Sequence, residues 1–272
     1  MNAAEAKAKF ERLHSRLAAL PSLAVAFSGG ADSTFLLASA IRAVPGKVVA
    51  FTISSPAHAA RELEHAQMTV QVLKADWRVI PSGVTDIDPF RANGPDRCYH
   101  CKLFILQELI TAARKEGVDA VAEGTTADEL LTPRPGTRAV RELGVLSPLA
   151  DAGLTKKEVR HLARLHGVPN FDRPANPCLA TRIPTGEPIT AEKLGRVARA
   201  EEVLSDAGFR QIRCRLFADG VRIELGEKEI ERAASPEVRR VLMERLREIG
   251  FCYVVLDLGG YRAGGAGVAA VP

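Results

Sequence analysis

Apolar residues fall in short, almost unbroken runs, separated by stretches in which they recur every three or four positions. The runs at residues 23–27, 47–53, 78–81 and 120–123 predict strands, and the stretches 34–43, 60–73, 102–116 and 155–166 predict helices. Residues 1–20 carry Glu5, Lys7, Lys9 and Glu11 among their apolar positions, which predicts an amphipathic helix and not a signal peptide. Strands apolar on both faces and alternating with helices predict an α/β fold with a parallel sheet covered on both sides. Ligands of such sheets bind beyond the carboxyl ends of the strands.

The pattern changes after residue 166. Pro174, Pro177, Pro184 and Pro188 follow Pro169 too closely for a regular element. Beyond them the chain predicts a helix over 191–207, strands over 210–217 and 221–225, a helix over 236–249 and a strand over 251–256. Asp219-Gly220 supplies a hairpin signal. The expected organisation is a Rossmann-like domain at 1–167, a cysteine-bearing connecting loop at 168–189, and a smaller α+β domain at 190–272. The glycine-rich tail at 264–267 is expected to be mobile.

The first predicted strand runs into Ser28-Gly29-Gly30-Ala31-Asp32-Ser33, and a helix follows. Glycines let successive amides converge on an anion, and a helix N-terminus adds its positive end. The hydroxyls of Ser28 and Ser33 add donors. No lysine follows the glycines, so this is not the loop that grips β- and γ-phosphates through a lysine. Asp32 serves either as a Mg²⁺ ligand or as a helix N-cap. Glu123 and Gly124, at the end of another predicted strand, face the same crevice, with Glu123 a candidate for metal or ribose.

Composition narrows the partners. Lys and Arg total 37 against 33 Asp and Glu, a mild excess that suits a small anionic ligand and argues against nucleic acid. No apolar stretch is long enough to cross a membrane. The five cysteines show no regular framework, as expected of a reduced, cytoplasmic protein. Cys98 and Cys101 form a CxxC, a spacing compatible with a shared metal or a disulfide. Cys178 stands in a polar loop beside Arg182, a candidate reactive thiolate. Cys214 and Cys252 are expected to pack in the core.

The loop Ser28–Ser33 resembles that of the PP-loop ATP pyrophosphatases, which cleave ATP between the α- and β-phosphates. With Arg97-Cys98-Tyr99-His100-Cys101-Lys102, residues 123–128, Arg134-Pro135-Gly136, residues 178–184 and residues 256–262, the chain resembles the LarE family over nearly its whole length. The resemblance implies an ATP-dependent sulfur transferase of nickel-pincer nucleotide synthesis, the cofactor of lactate racemase. It would adenylate the carboxylates of a small-molecule nucleotide, pyridinium-3,5-biscarboxylate mononucleotide, and replace oxygen by sulfur. Cys178 falls at the sulfur-supplying position.

Two chemistries occur in the family: sacrifice of that cysteine's own sulfur, or a 4Fe-4S cluster on three cysteines. Cys98 and Cys101 place this chain with the cluster type, with one iron left open for sulfide. A sulfide source or a cysteine desulfurase would then be a partner, and a homo-oligomer is expected. The resemblance also implies ATP and Mg²⁺ at the loop, with pyrophosphate against the amides of Gly29, Gly30 and Ala31. Arg182, Arg213, Arg215 and Arg262 are the candidates for the substrate's phosphate and carboxylates. Glu224 and Asp257 are weaker choices, and His100 is a bystander. The competing expectations are a PP-loop enzyme acting on tRNA or another acid, and an adenine-nucleotide-binding protein with structural zinc.

Overall fold

The computed structural model describes residues 3–131, 135–174 and 177–262. Arg134, Asn176 and the tail at 264–267 lie outside the described residues. The chain divides into two units: the first takes the described residues up to Phe90 and from Asp96 onward to Pro174, the second Arg91–Pro95 and those from Pro177.

In chain order the first unit contains α1 (Ala3–Ala18), β1 (Leu23–Ala26), α2 (Ala31–Ala43), β2 (Val48–Ser54), α3 (Ala60–Leu73) and β3 (Asp76–Pro81). The short α4 (Asp88–Arg91) runs across the break, its last residue Arg91 belonging to the second unit. After the break come α5 (Arg97–Lys115), β4 (Val121–Ala122), α6 (Pro135–Glu142), α7 (Pro148–Asp151) and α8 (Lys156–Leu165). The four strands form a parallel sheet of order β3-β2-β1-β4, with Leu23 opposite Val48 and Ala24 opposite Val121. This is the α/β architecture that the apolar runs predict.

One face of the sheet is covered by a core that includes Leu13, Leu17, Phe35, Leu37 and Leu162, the other by a core that includes Leu106, Leu109 and Val140. Helix α2 is buried from Ala31 almost continuously to Ala40, which explains its weak amphipathic pattern. Helix α8 starts at a capping box. Thr155 Oγ1 accepts from the Glu158 amide, and the Glu158 carboxylate accepts from the Thr155 amide at 2.8 Å.

The second unit contains α9 (Ala191–Asp206), β5 (Ile212–Phe217), β6 (Gly220–Leu225), α10 (Ile230–Ala234), α11 (Pro236–Glu248) and β7 (Tyr253–Leu256). Its sheet has the order β5-β6-β7, antiparallel then parallel. The hairpin turn is one residue earlier than Asp219-Gly220. Phe217 pairs with Gly220, so Ala218 and Asp219 form the turn, and Ala218 takes the left-handed φ of +40°. A side chain at 220 would collide with the Phe217 ring and the Tyr253 carbonyl, which is why the glycine closes the hairpin instead of turning it.

Candidate functional site

The loop after β1 is shaped by its glycines. Gly29 has φ +73°, and a Cβ there would lie 3.1 Å from the Ala66 backbone of α3. Gly30 occupies the N-cap position of α2 and provides no side-chain cap, so the first amides of that helix are open to an anion. Asp32 is therefore not the N-cap; it stands one residue inside the helix. The hydroxyls of Ser28 and Ser33 lie 3.2 Å apart, with the Ser28 hydroxyl 3.4 Å from the Gly30 amide and that of Ser33 3.2 Å from the Gly30 carbonyl. These long bonds are easily exchanged for phosphate oxygens.

The end of β4 packs against the same turn. A Cβ on Gly124 would lie 3.0 Å from the Ser33 amide nitrogen, so only glycine lets the two backbones meet. Glu123 is buried and saturated. It accepts from the Thr125 amide (3.1 Å), Thr125 Oγ1 (2.8 Å), Ser147 Oγ (2.8 Å) and Lys102 Nζ (3.1 Å). Burial opposes its ionisation, but Lys102 and the hydroxyl donors outweigh that and hold its carboxyl below the ordinary range. With these donors engaged, Glu123 positions Lys102 and the strand end.

Asp32 has the opposite character. Burial lifts its carboxyl above the ordinary range, partly offset by Lys156, whose ammonium lies 3.2 Å from Oδ2. Its Oδ1 is buried and has no hydrogen-bond partner. An orphaned buried carboxylate oxygen beside a phosphate cradle fits a hard divalent cation. The surrounding cleft has a volume of about 730 Å³ and reaches from Ser28, Ser33 and Gly124 to the apolar Phe51, Ile53 and Leu106. That is ample for a nucleoside triphosphate.

Residues 170–173 brace the loop. Asn170 Nδ2 lies 2.5 Å from Thr69 Oγ1 and 3.4 Å from the Gly29 carbonyl. Arg173 bonds Glu62 at 2.8 Å and reaches the same carbonyl at 3.5 Å.

Cys98 and Cys101 are three residues apart on the first turn of α5, the former exposed and the latter half-buried. Helix α5 thus begins five residues before the predicted start and takes the CxxC onto one helical face. Cys178 belongs to the second unit. It stands at the head of a 3₁₀ turn, Leu179–Arg182, and its carbonyl accepts from the Thr181 amide (3.0 Å) and Thr181 Oγ1 (2.8 Å). None of the three is joined in a disulfide among the described residues. Among the described residues no group of three His, Cys, Asp or Glu side chains is gathered to hold a metal ion.

The arginines part company. Arg182 is fully buried, pairs Glu201 through two bonds (2.7 and 3.1 Å), and donates to the carbonyls of Pro177 and Cys178. It clamps the Cys178 turn. Arg213 shares strand parity with Arg215 but is buried, with its guanidinium 4.9 Å from the Tyr261 ring centroid. Burial, then repulsion from Arg182, pushes its pKa down. Arg213 is not among the residues that line the unit's cavity. Arg182, Arg215 and Arg262 do line it.

That cavity, about 660 Å³, also presents Arg222, Glu224 and Asp257. Glu224 Oε1 accepts from Arg215 (2.6 Å) and Arg222 (2.9 Å), while its buried Oε2 has no partner. Sequence reasoning missed Arg222, although its place opposite Arg215 follows from the hairpin register. It also missed Lys156, at the first position of the capping-box helix, and Lys102 as a cleft residue. Cys214 is buried as expected, whereas Cys252 is exposed, a correction: the strand starts at Tyr253, two residues later than predicted, and lies at the sheet edge.

A parallel sheet with an amide-rich, lysine-free loop at the end of its first strand and a carboxylate beside it with one oxygen unpartnered defines an ATP-dependent enzyme of the PP-loop type. The comparisons agree. Residues 11–201 match the family model of asparagine synthase. The chain is 37% identical over 258 residues to an uncharacterised protein of Synechocystis sp., covering 95% of this chain and 96% of that protein. It is 33% identical over 248 residues to the pyridinium-3,5-bisthiocarboxylic acid mononucleotide synthase of Lactiplantibacillus plantarum, covering 90% and 88%. A third relative, an uncharacterised protein of Methanocaldococcus jannaschii, is 29% identical over 239 residues. The chain belongs to the LarE family of the PP-loop superfamily. Among the described residues no helix is long and apolar enough to cross a membrane.

Proposed function

We propose that this protein is an ATP-dependent sulfur transferase that converts the carboxylates of pyridinium-3,5-biscarboxylate mononucleotide to thiocarboxylates for the nickel-pincer cofactor. The observation that carries the reading is one chain holding both a phosphate cradle at Ser28–Ser33 and three cysteines outside any disulfide, Cys98, Cys101 and Cys178. The likeness to the Lactiplantibacillus plantarum synthase supplies the substrate class.

In the first half-reaction a substrate carboxylate oxygen attacks the α-phosphorus of ATP. A P–O bond forms, the bond to the bridging oxygen breaks, and pyrophosphate leaves against the loop amides. Asp32, through its free Oδ1, would hold the Mg²⁺ that neutralises the phosphates. In the second half a sulfur nucleophile attacks the acyl carbon and AMP departs with the carboxylate oxygen. Cys98, Cys101 and Cys178 suit a 4Fe-4S cluster by donor chemistry, three thiolates leaving one iron open; such a cluster supplies a site that carries sulfide. The sacrificial alternative uses Cys178 alone: its sulfur acylates, then Cβ–S cleavage with loss of the Cα proton leaves dehydroalanine.

Arg215, Arg222 and Arg262 are proposed to receive the substrate's phosphate. The protein is proposed to be cytoplasmic and homo-oligomeric, with sulfide drawn from a desulfurase or free sulfide. The domain limits 1–167, 168–189 and 190–272 stand as part of this proposal.

Iron and acid-labile sulfide in anaerobically purified protein, with a Cys98→Ser control, test the sulfur route. About four irons per chain, lost in the variant, support the cluster. Protein without iron whose Cys178 loses the mass of H₂S after one turnover supports sacrifice. Stoichiometric zinc, with no thiocarboxylate formed, overturns the reading.

A further inference from the structure

The phosphate loop contains no lysine, yet the α,β-cleavage of ATP leaves a highly charged pyrophosphate. The cleft around the loop is lined by five carboxylates, Asp32, Glu62, Glu64, Glu123 and Glu129, and Lys102 is the one lysine or arginine among its lining residues. For the other basic lining residue, His58, burial lowers the pKa against the pull of Glu62. Lys156 pairs with Asp32 (3.2 Å) and Glu129 (3.7 Å), and Arg173 with Glu62 (2.8 Å), from outside that lining, so Lys102 is the cation that the lining itself offers to a triphosphate.

We propose that Lys102 is a catalytic residue of the adenylation step, donating to the phosphate chain of ATP and neutralising the departing pyrophosphate. The inference rests on the ATP half of the proposed function and is independent of the sulfur route.

The geometry supplies the positioning. An ammonium has three donors. One is taken by Glu123 at 3.1 Å, and no other protein partner competes for the remaining two among the described hydrogen bonds. Glu123 cannot follow the lysine away, because Thr125 and Ser147 hold both its oxygens. Gly124, the next residue, brings this strand end against the Ser33 amide nitrogen, at the mouth of the phosphate cradle. The Lys102 side chain is 31% exposed, open enough to meet a ligand and too enclosed to be a free surface charge. As the bond from the α-phosphorus to its bridging oxygen breaks, the electron pair moves onto the β-phosphate, and a cation anchored there is more strongly bound in the transition state than in the ground state. No proton is transferred.

The test is calorimetric binding of Mg-ATP, pyrophosphate and adenosine to the wild type, Lys102→Met and Lys102→Arg, together with labelled pyrophosphate exchange into ATP in the presence of pyridinium-3,5-biscarboxylate mononucleotide. Lys102→Met should weaken Mg-ATP and pyrophosphate by roughly tenfold or more and leave adenosine unchanged. Exchange should fall further than binding, and Lys102→Arg should restore most of both. Equal loss for all three ligands, or no loss for Mg-ATP, overturns the proposal. If Lys102→Met does not fold, Lys102→Gln takes its place with the same expectations. A wild type that binds Mg-ATP but gives no exchange would sink the substrate assignment while leaving the binding test in force.

Discussion

Lys156 Nζ lies 3.2 Å from Oδ2 of Asp32, while Oδ1 of the same carboxylate is buried without a partner. The lysine compensates one oxygen of the carboxylate, and the proposed Mg²⁺ would take the other. Burial raises the Asp32 pKa, and the neighbouring Glu129 adds to the lift against Lys156. Only the ionised form binds Mg²⁺, so Mg-ATP affinity should fall as pH drops through this raised value, at a higher pH than an ordinary aspartate would give. Titrating affinity from pH 8 to 5 in wild type and Asp32→Asn checks it. The variant should bind Mg-ATP about tenfold more weakly at pH 7.5 and show a flatter profile. Because the ionised carboxylate costs the fold stability, Asp32→Asn without nucleotide should melt no lower than the wild type.

Gly124→Ala places a methyl group 3.0 Å from the Ser33 nitrogen and 3.2 Å from the Asp32 carbonyl carbon, both of them backbone. Neither can move without displacing the first turn of α2. We expect a loss of about 1–3 kcal/mol in stability and a larger relative loss of ATP affinity. Chemical denaturation and nucleotide titration on one preparation separate the two effects. Unchanged ATP binding would mean that β4 and the loop do not act together.

Arg182 and Glu201 form a buried pair with the guanidinium wholly enclosed. Glu201 also accepts from the Cys214 amide, so the pair ties α9, β5 and the Cys178 turn into one network. Removing one charge leaves the other uncompensated. Arg182→Ala and Glu201→Ala should each cost about 3–5 kcal/mol. If Arg182 were chiefly a substrate contact, its loss would raise KM with little change in melting temperature.

The α/β class, the parallel order and the phosphate loop were legible because a covered parallel sheet demands apolar runs, and Gly29 can hold a positive φ against α3. Helix bounds drifted where caps are unusual. Helix α2 starts at Gly30 with no side-chain cap, so Asp32 offered a false start signal. The division of labour among arginines was not legible. Strand parity puts Arg213 and Arg215 on one face, but only the tertiary position of Tyr261 shows that Arg213 is stacked and enclosed. Lys102 was visible merely as the end of a cysteine motif; its cleft role depends on the bond to Glu123, 21 residues away.

The stability of the first unit should respond to acid through Glu158. Burial opposes its ionisation, but Lys9 Nζ at 2.7 Å and the Thr155 amide and hydroxyl hold its carboxyl below the ordinary value of 4.5. The pKa is lower folded than unfolded, so the contribution is present above that ordinary value and is lost as pH falls through the depressed one. Glu158→Gln should cost roughly 1–2 kcal/mol at pH 7, and the difference from wild type should shrink below about pH 4. Urea midpoints at pH 7 and pH 3.5 decide it; a constant difference would remove the charge from the explanation and leave only the cap.

Cysteine accessibility gives the sharpest check on the proposed iron site. Cys98 and Cys252 are exposed, Cys101 and Cys178 half-buried, and Cys214 buried, with burial pushing its thiol well above the ordinary range. A buried neutral thiol is a poor nucleophile. Metal-free native protein should therefore be alkylated rapidly at Cys98 and Cys252, more slowly at Cys101 and Cys178, and at Cys214 only after unfolding. In anaerobic, iron-loaded protein Cys98, Cys101 and Cys178 should be protected together while Cys252 still reacts, and chelation should expose all three again. Mass spectrometry of the labelled peptides resolves each position. Protection of Cys98 and Cys101 with Cys178 left reactive would leave the pair binding metal without it, and would return Cys178 to the sacrificial route.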